Sequence, residues 1–318
     1  MTRTLSTPCN RLSTITAGCM LVLATALWAV ALIAPLLLSG YSPIEITLSR
    51  FFFYGAASTG ILVSRYRGRS LSRTLWCRAA AYALAGNILV SVLVSFGVQD
   101  TGAEIAVPIN GLLPICVSLA GSHSLPREKW QRLILPFALL ALGLCIVLLV
   151  RKNDDMQVAR LSWQGVAAVA ASVLLWTWYA ISNERFLRRN PSISGAHWSS
   201  AIGAMTLFIA FVMAVADVAF METSVEALKT QATERSVLPF LIVTLTLGVG
   251  TSWLATSLFN YASHSLPMGL VGQFLTIETL FGIAYTCIYH QVLPSPSQTA
   301  GSMLVILGIW LSSRVLLR

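Results

Sequence analysis

The sequence predicts an all-α membrane protein with ten transmembrane helices. Its residues are 56 % hydrophobic and only 10 % charged, with a mean hydropathy of +0.75, whereas a soluble domain carries about 25 % charged residues. Ten apolar runs reach the length of roughly 20 residues that a spanning helix needs. None of the runs alternates apolar and polar residues, as the strands of a transmembrane barrel would.

The ten predicted spans follow one another with short connections. They cover residues 14–38, 43–64, 79–96, 102–120, 132–150, 162–183, 194–216, 237–259, 266–288 and 299–316. The first run follows Arg3 and Arg11 as a signal peptide would, but it is longer than the apolar region of a signal peptide. We therefore expect it to remain as the first span, behind a cytoplasmic tail at residues 1–13.

Basic residues indicate the orientation of the spans. If the N-terminus lies in the cytoplasm, 15 of the 21 lysines and arginines lie on the cytoplasmic side and 5 lie outside. This asymmetry follows the positive-inside rule and predicts that both termini are cytoplasmic. The basic clusters are thereby explained by topology, so we expect no nucleic-acid partner. The long outside loop at residues 217–236 is interpreted either as a short surface helix or as a solvated loop.

The two halves of the chain share an order of residues that predicts an internal repeat. The matched positions are Trp28 with Trp176, Pro43 with Pro191, Pro114 with Thr279, and Gly143 with Gly308. The first two pairs are 148 residues apart and the last two are 165 apart. Because each half holds five spans, an odd number, the second repeat (151–318) must be inverted relative to the first (14–150). Inverted repeats are typical of secondary transporters, with the substrate site near the bilayer midplane.

Four segments carry a resemblance to a known family. They are "ALWAVALIAPLLLSGYSPIEITLSRFF", "GAEIAVPINGLLPICVSLAG", "LSWQGVAAVAASVLLWTWYAISNERF" and "NYASHSLPMGLVGQFLTIETLFGIAY". Their order and spacing resemble the drug/metabolite transporter superfamily, in its ten-helix EamA-type branch. The resemblance implies export of small metabolites by alternating access, in a bacterial inner membrane.

Individual residues match the motifs of that family. Trp28 resembles the tryptophan of the first helix, and Glu45 with Arg50 resembles the P-x-E…R-F pattern that opens the second. The segment around Asn110 resembles a helix-four motif of the aromatic amino-acid exporters, and Glu278 resembles the acid of the ninth-helix E-P motif. Thr279 replaces the proline of that motif, so we expect the kink at Pro114 to lack a counterpart in the ninth span.

Glu278 is the leading candidate for a functional residue, since a charge in the middle of a span costs roughly 2.5–3.5 kcal/mol. On a helix it shares a face with Phe274, Phe281, Gly282 and Tyr285. A carboxylate among aromatic rings suits an amino acid, an amine, or a proton exchanged for substrate. The alternative is a protonated Glu278 that is hydrogen-bonded to a neighbouring helix. If the residue is functional, we expect it to line a polar opening between the two halves.

Further polar and aromatic residues inside the spans are weaker candidates. Asn110 lies between Pro108 and Pro114, which free backbone groups that a cavity or a neighbouring helix must satisfy. Asn110 could line that cavity or hydrogen-bond to another helix. Asn87 and Gln273 are lesser candidates of the same kind.

Arg50 and two tryptophans allow both functional and structural interpretations. Arg50 could bind a substrate carboxylate, but a structural role is favoured, in which it snorkels or pairs with Glu45 or Glu104. Trp28 and Trp176 lie inside spans, where the aromatic belt does not explain them. They could be cavity walls or core residues.

Three classes of function compete. The first is a secondary exporter of small organic solutes; the others are an intramembrane enzyme and a non-transporting sensor or scaffold. The sequence contains no H-E-x-x-H motif and no Walker A motif, its four histidines lack metal-ligand spacing, and its six cysteines form no C-x-x-C. We therefore expect no enzymatic activity, cofactor or metal. The expected partners are a small-molecule substrate and the lipid bilayer, with protons as a candidate coupling ion, in a monomer or homodimer.

Overall fold

The computed structural model describes residues 11–38, 41, 43–67, 71–149, 162–220 and 237–317. Ten helices in these residues are long and apolar enough to cross a membrane, so the predicted fold class is confirmed. Most of the loop for which we predicted either a surface helix or a solvated loop, at residues 221–236, lies outside the described residues.

The ten spans are numbered here α1 to α10. Six are continuous helices: α1 (Arg11–Leu37), α2 (Pro43–Arg65), α5 (Arg127–Leu149), α6 (Trp163–Arg189), α7 (Gly195–Phe220) and α10 (Pro296–Leu316). Two contain a π-helical segment: α3 (Arg73–Thr101) and α8 (Val237–Ser265). Two are interrupted: α4 comprises α4a (Ala103–Asn110) and α4b (Leu113–Ser122), and α9 comprises α9a (Met268–Phe274) and α9b (Thr276–His290).

Several helices extend beyond the apolar runs that predicted them. α3 begins at Arg73, six residues before the predicted start, where the Ser72 side chain accepts a hydrogen bond from the Leu75 amide. α6 continues to Arg189, six residues past its predicted end. Helical hydrogen bonding continues through charged residues, whose long side chains reach the membrane surface, so an apolar run underestimates the helix.

Two π-helical segments, which the sequence did not predict, occupy matching places in the two halves. They span Leu84–Leu89 in α3 and Leu247–Leu254 in α8. Adding 165 to the first range gives 249–254, which lies inside the second. π-Helical turns are rare and are often found at functional sites.

The interruptions of α4 and α9 correct one expectation. In α4, Leu112 bonds to the Ile109 carbonyl, three residues back, just before Pro114. In α9, which has no proline, the Leu275 amide is shared between the carbonyls of Val271 and Gly272, both at 3.2 Å. The expectation that the interruption at Pro114 has no counterpart in α9 is therefore wrong, because a shared amide shortens the helical turn without a proline.

The helices pack in a pattern that pairs the two halves of the chain. α1 packs on α8 and α9, and α6 packs on α3 and α4. α2 packs on α7, and α5 on α10. The largest buried core lies where α1, α6, α8 and α9a meet, and includes Leu21, Ala180, Phe259 and Val271. The polar residues described next border this core.

Candidate functional site

Glu278 lies three residues after the interruption of α9. The residue is partly exposed and lies near the middle of the ninth span, Met268–His290. The Arg50 guanidinium of α2 is the charge that acts electrostatically on Glu278. Among the described residues these two groups do not approach within the 4 Å of a direct ion pair. Glu278 and Arg50 thus interact electrostatically without forming a direct ion pair.

Arg50 is held by the π-helical segment of α8. Its Nε atom donates a hydrogen bond of 2.7 Å to the Ser252 hydroxyl, which is buried. One turn further along α2, the Tyr54 hydroxyl donates to the Ser199 carbonyl of α7 at 3.0 Å. Sequence reasoning named Arg50 but missed Ser252 and Tyr54, since neither is charged.

The helix face of Glu278 lies partly against α1. A side-chain carbon at Gly282 would come within 2.6 Å of the end of the Leu32 side chain, which shows that α9b lies close to α1 here. The Tyr285 hydroxyl donates to the Ala26 carbonyl of α1 at 3.2 Å. The Phe281 ring packs beside the Tyr285 ring, with centroids 5.9 Å apart. Phe281 and Tyr285 therefore lie side by side on α9b, and Tyr285 and Gly282 contact α1.

Trp28 and Trp176 belong to one aromatic cluster. Their rings meet edge to face with centroids 6.3 Å apart. The Phe259 ring of α8 contacts both, at 5.4 Å from Trp28 and 6.1 Å from Trp176. Both tryptophans remain partly exposed, so the cluster joins three helices without being sealed in the core.

The remaining candidates are found in different surroundings. The Asn87 amide, in the π-helical segment of α3, donates to the Thr206 hydroxyl at 2.8 Å. Gln273 is completely buried, and neither of its amide atoms has a hydrogen-bond partner. Asn110 is exposed at the end of α4a. Phe274 packs among the apolar residues of α5 and α10.

Three further candidates are the two prolines predicted to kink α4 and the predicted buried carboxylate of α2. Pro108 lies within α4a and Pro114 opens α4b, where it is buried. Glu45 lies in the first turn of α2 and is partly exposed.

α4 and α9 contact each other closely in only one half of their length. The Ser118 hydroxyl of α4b donates to the Gly269 carbonyl of α9a at 2.5 Å. A side chain at Gly272 would overlap the backbone of Ser118. In the other half, α4a packs on α6 whereas α9b packs on α1. The two interrupted helices therefore separate from each other on the side that holds Glu278.

A cavity of about 1060 Å³ lies elsewhere, between α3, α4b and α6. None of the predicted site residues lines it. Its wall includes Arg78, His123, Trp178, Arg185 and Arg189. No sequence pattern predicted this cavity, because basic residues at helix ends are already explained by topology.

In the part of the chain that the structure describes, no group of three or more His, Cys, Asp or Glu side chains could hold a metal ion.

Comparisons with known proteins agree with this architecture. Residues 15–151 match the model of the EamA-like transporter family. The inner membrane protein YtfF of Escherichia coli (strain K12) is 26 % identical over 301 residues, which cover 92 % of this chain and 93 % of YtfF. One solved crystal structure shares the fold with a TM-score of 0.70 at 16 % identity, and the match covers 97 % of this chain and 99 % of that chain.

The resemblance noted from the sequence is thereby confirmed. The match to YtfF covers 92 % of this chain and therefore extends into both halves, which together contain the ten apolar helices. Over residues 15–151 this chain is therefore similar to the EamA-like transporter family, over most of its length it is similar to an inner membrane protein, and its ten apolar helices are those of a multi-pass membrane protein.

Proposed function

We propose that the chain is a secondary transporter that exports small organic metabolites, such as amino acids or amines, by alternating access. The observation that carries this proposal is the partly exposed Glu278 of the ninth span, which interacts electrostatically with Arg50 and lies three residues after the interruption of its helix. Ionisable groups within spans are costly and usually mark substrate or ion pathways.

The charges of the site suggest the class of substrate. A carboxylate at Glu278 suits an ammonium group, and the guanidinium of Arg50 suits a carboxylate. Only the Nε atom of Arg50 is engaged by Ser252, so its two terminal nitrogens retain donors for a ligand. The aromatic rings of Phe281 and Trp28 would contact an apolar side chain. Glu278 is also the group at which a proton would be exchanged for substrate.

Two inverted repeats, at residues 14–150 and 151–318, would supply the movement. The packing of α1 on α8 and α9 corresponds to that of α6 on α3 and α4, which is the pattern that exchange of the two halves requires. The contact of α4b with α9a would close one end of the helix bundle. Most of the arginines lie at this end, so we assign it to the cytoplasmic side. The separation of α4a from α9b would open the other end. Exchanging these arrangements would carry substrate outward.

Transport assays in inverted membrane vesicles test this proposal. A panel of amino acids and amines would be assayed for uptake with and without a proton gradient, for the unchanged protein and for Glu278→Gln. We expect Glu278→Gln to abolish uptake and its dependence on pH while inserting normally. Glu128→Gln, at an exposed position at the start of α5, is the matched control and should transport normally. Full activity of Glu278→Gln with unchanged pH dependence would remove this residue from the mechanism.

A further inference from the structure

The cavity between α3, α4b and α6 opens on the lateral surface of the helix bundle. Its wall includes Leu174 and Trp178 of α6, whose residues are 65 % and 51 % exposed. The core-facing side of the same helix carries Trp176 and Tyr179 instead. The cavity is therefore a lateral groove that faces the lipid, and neither Glu278 nor Arg50 lines it.

One end of this groove is strongly basic. Arg185 and Arg189 line it from the last two turns of α6, and Arg78 lines it from the second turn of α3. No carboxylate is among the lining residues. Arg78 is positioned over the Phe186 ring, 5.0 Å from its centroid, which orients its charge without neutralising it.

A neighbouring arginine, Arg188, has a structural role and can be compared with the arginines of the groove. Arg188 forms an ion pair with Glu184 and also donates to the carbonyls of Ser263 and Leu266. Within the described residues, the three arginines of the groove have no such ion pair. Their positive charges remain available to a ligand.

The groove changes from basic to apolar along α6. Leu174 precedes Arg185 by eleven residues, which is about 16 Å along a helix at 1.5 Å per residue. That length is about half of a hydrocarbon core roughly 30 Å thick. Arginines at the ends of spans lie at the level of the lipid headgroups. The groove thus has the length of one lipid molecule in one leaflet, with a basic end at the level of the headgroup and an apolar end at the level of the acyl chains.

We propose that this groove binds an anionic phospholipid. Arg78, Arg185 and Arg189 would bind the phosphate of the headgroup, and one acyl chain would lie along Trp178 and Leu174. Basic pockets between spans commonly recognise anionic headgroups in this way. The proposal does not depend on the proposed transport activity.

Lipid binding to the purified full-length protein tests this inference. Native mass spectrometry would measure binding of phosphatidylglycerol to the unchanged protein and to an Arg185→Gln/Arg189→Gln variant. The control variant, Arg65→Gln/Arg127→Gln, removes the same charge from exposed positions at the ends of α2 and α5. We expect roughly tenfold weaker binding in the groove variant, and affinity close to that of the unchanged protein in the control. Phosphatidylethanolamine, which has no net charge, should bind more weakly than phosphatidylglycerol.

Two outcomes would overturn the proposal. Equal losses in both variants would indicate a general attraction of anionic lipid to basic residues. Competition by inorganic phosphate at the concentration of the lipid would indicate a site for soluble anions. If the groove variant does not fold, a second measurement on the unchanged protein tests the proposal. It records how strongly phosphatidylglycerol with brominated acyl chains quenches the tryptophan fluorescence. Replacing Trp178 with Phe should remove part of that quenching, and unchanged quenching would contradict the assignment.

Discussion

Trp28 and Trp176 contact each other edge to face, with ring centroids 6.3 Å apart, although 148 residues separate them in the chain. The same separation, 148 residues, relates Gly55 of α2 to Gly203 of α7. A side-chain carbon at Gly55 would come within 3.0 Å of the Gly203 carbonyl oxygen. When two equivalent positions touch each other, they lie beside the axis that relates the halves. These contacts support the proposed pair of repeats.

The close packing of α2 on α7 predicts a specific sensitivity to added volume. Gly55→Ala would place its new methyl group against the Leu207 side chain, so we expect a loss of about 1–3 kcal/mol in the free energy of unfolding. Thermal unfolding in detergent would show this as a lower midpoint temperature.

Gly60 supplies the control for that experiment within the same helix. No atom lies within 4 Å of the position that a side-chain carbon at Gly60 would occupy. Gly60→Ala should therefore leave the midpoint unchanged or raise it, since alanine favours a helix over glycine by about 1 kcal/mol. Equal midpoints for the two variants would refute the close contact at Gly55.

The hydrogen bond between Arg50 and Ser252 leads to a second prediction. Ser252→Ala removes the acceptor of the Arg50 Nε atom, and we expect the protein to lose about 1.5–3 kcal/mol of stability, as for hydrogen bonds to charged groups. Ser257→Ala is the control, because the Ser257 hydroxyl donates only to the Trp253 carbonyl of its own helix. A midpoint of unfolding no lower than that of the control would show that Ser252 does not hold Arg50.

A buried polar network leads to a third prediction. The Asn183 amide donates to the Asn260 side-chain oxygen at 2.7 Å and accepts from the Trp198 indole at 2.8 Å, which links α6, α8 and α7. Asn183→Ala leaves the indole N–H without its acceptor, which we expect to cost about 1–3 kcal/mol. A double-mutant cycle with Asn260→Ala should yield a favourable coupling energy of roughly 0.5 kcal/mol or more. Strictly additive effects would contradict a direct bond between the two amides.

Much of the fold could be predicted because the number of spans is a local property. A run of about 20 apolar residues predicts a spanning helix wherever it occurs. The offset of 148 was also visible in the sequence, from Trp28 and Trp176. The exact ends of the helices were not, since Arg73 and Arg189 continue helices into polar sequence.

The details of the site depend on contacts between distant residues, which no local pattern reveals. Ser252 is 202 residues from Arg50, and its place in an apolar run gave no sign of a charged partner. The interruption at Leu275 arises from a shared amide and not from a proline. The polarity of Gln273 was visible, but its complete burial without a hydrogen-bond partner follows from packing alone.

The proposed transport cycle requires that the two ends of the bundle open in alternation. Two pairs of exposed residues report on these ends: His123 with His264, and Gln99 with Ile288. The 165-residue offset exchanges the pairs, because it relates Gln99 to His264 and His123 to Ile288. Spin labels at cysteines introduced there, in a protein whose six native cysteines are replaced, allow the distances to be measured by pulsed electron paramagnetic resonance.

Gly272→Ala provides the perturbation, because its methyl group would overlap the backbone of Ser118 and separate α4b from α9a. Gly60→Ala is again the control. We predict that Gly272→Ala lengthens the distance between positions 123 and 264 and shortens the distance between positions 99 and 288. Distances that stay unchanged, or that lengthen at both ends, would contradict alternating access between the two halves.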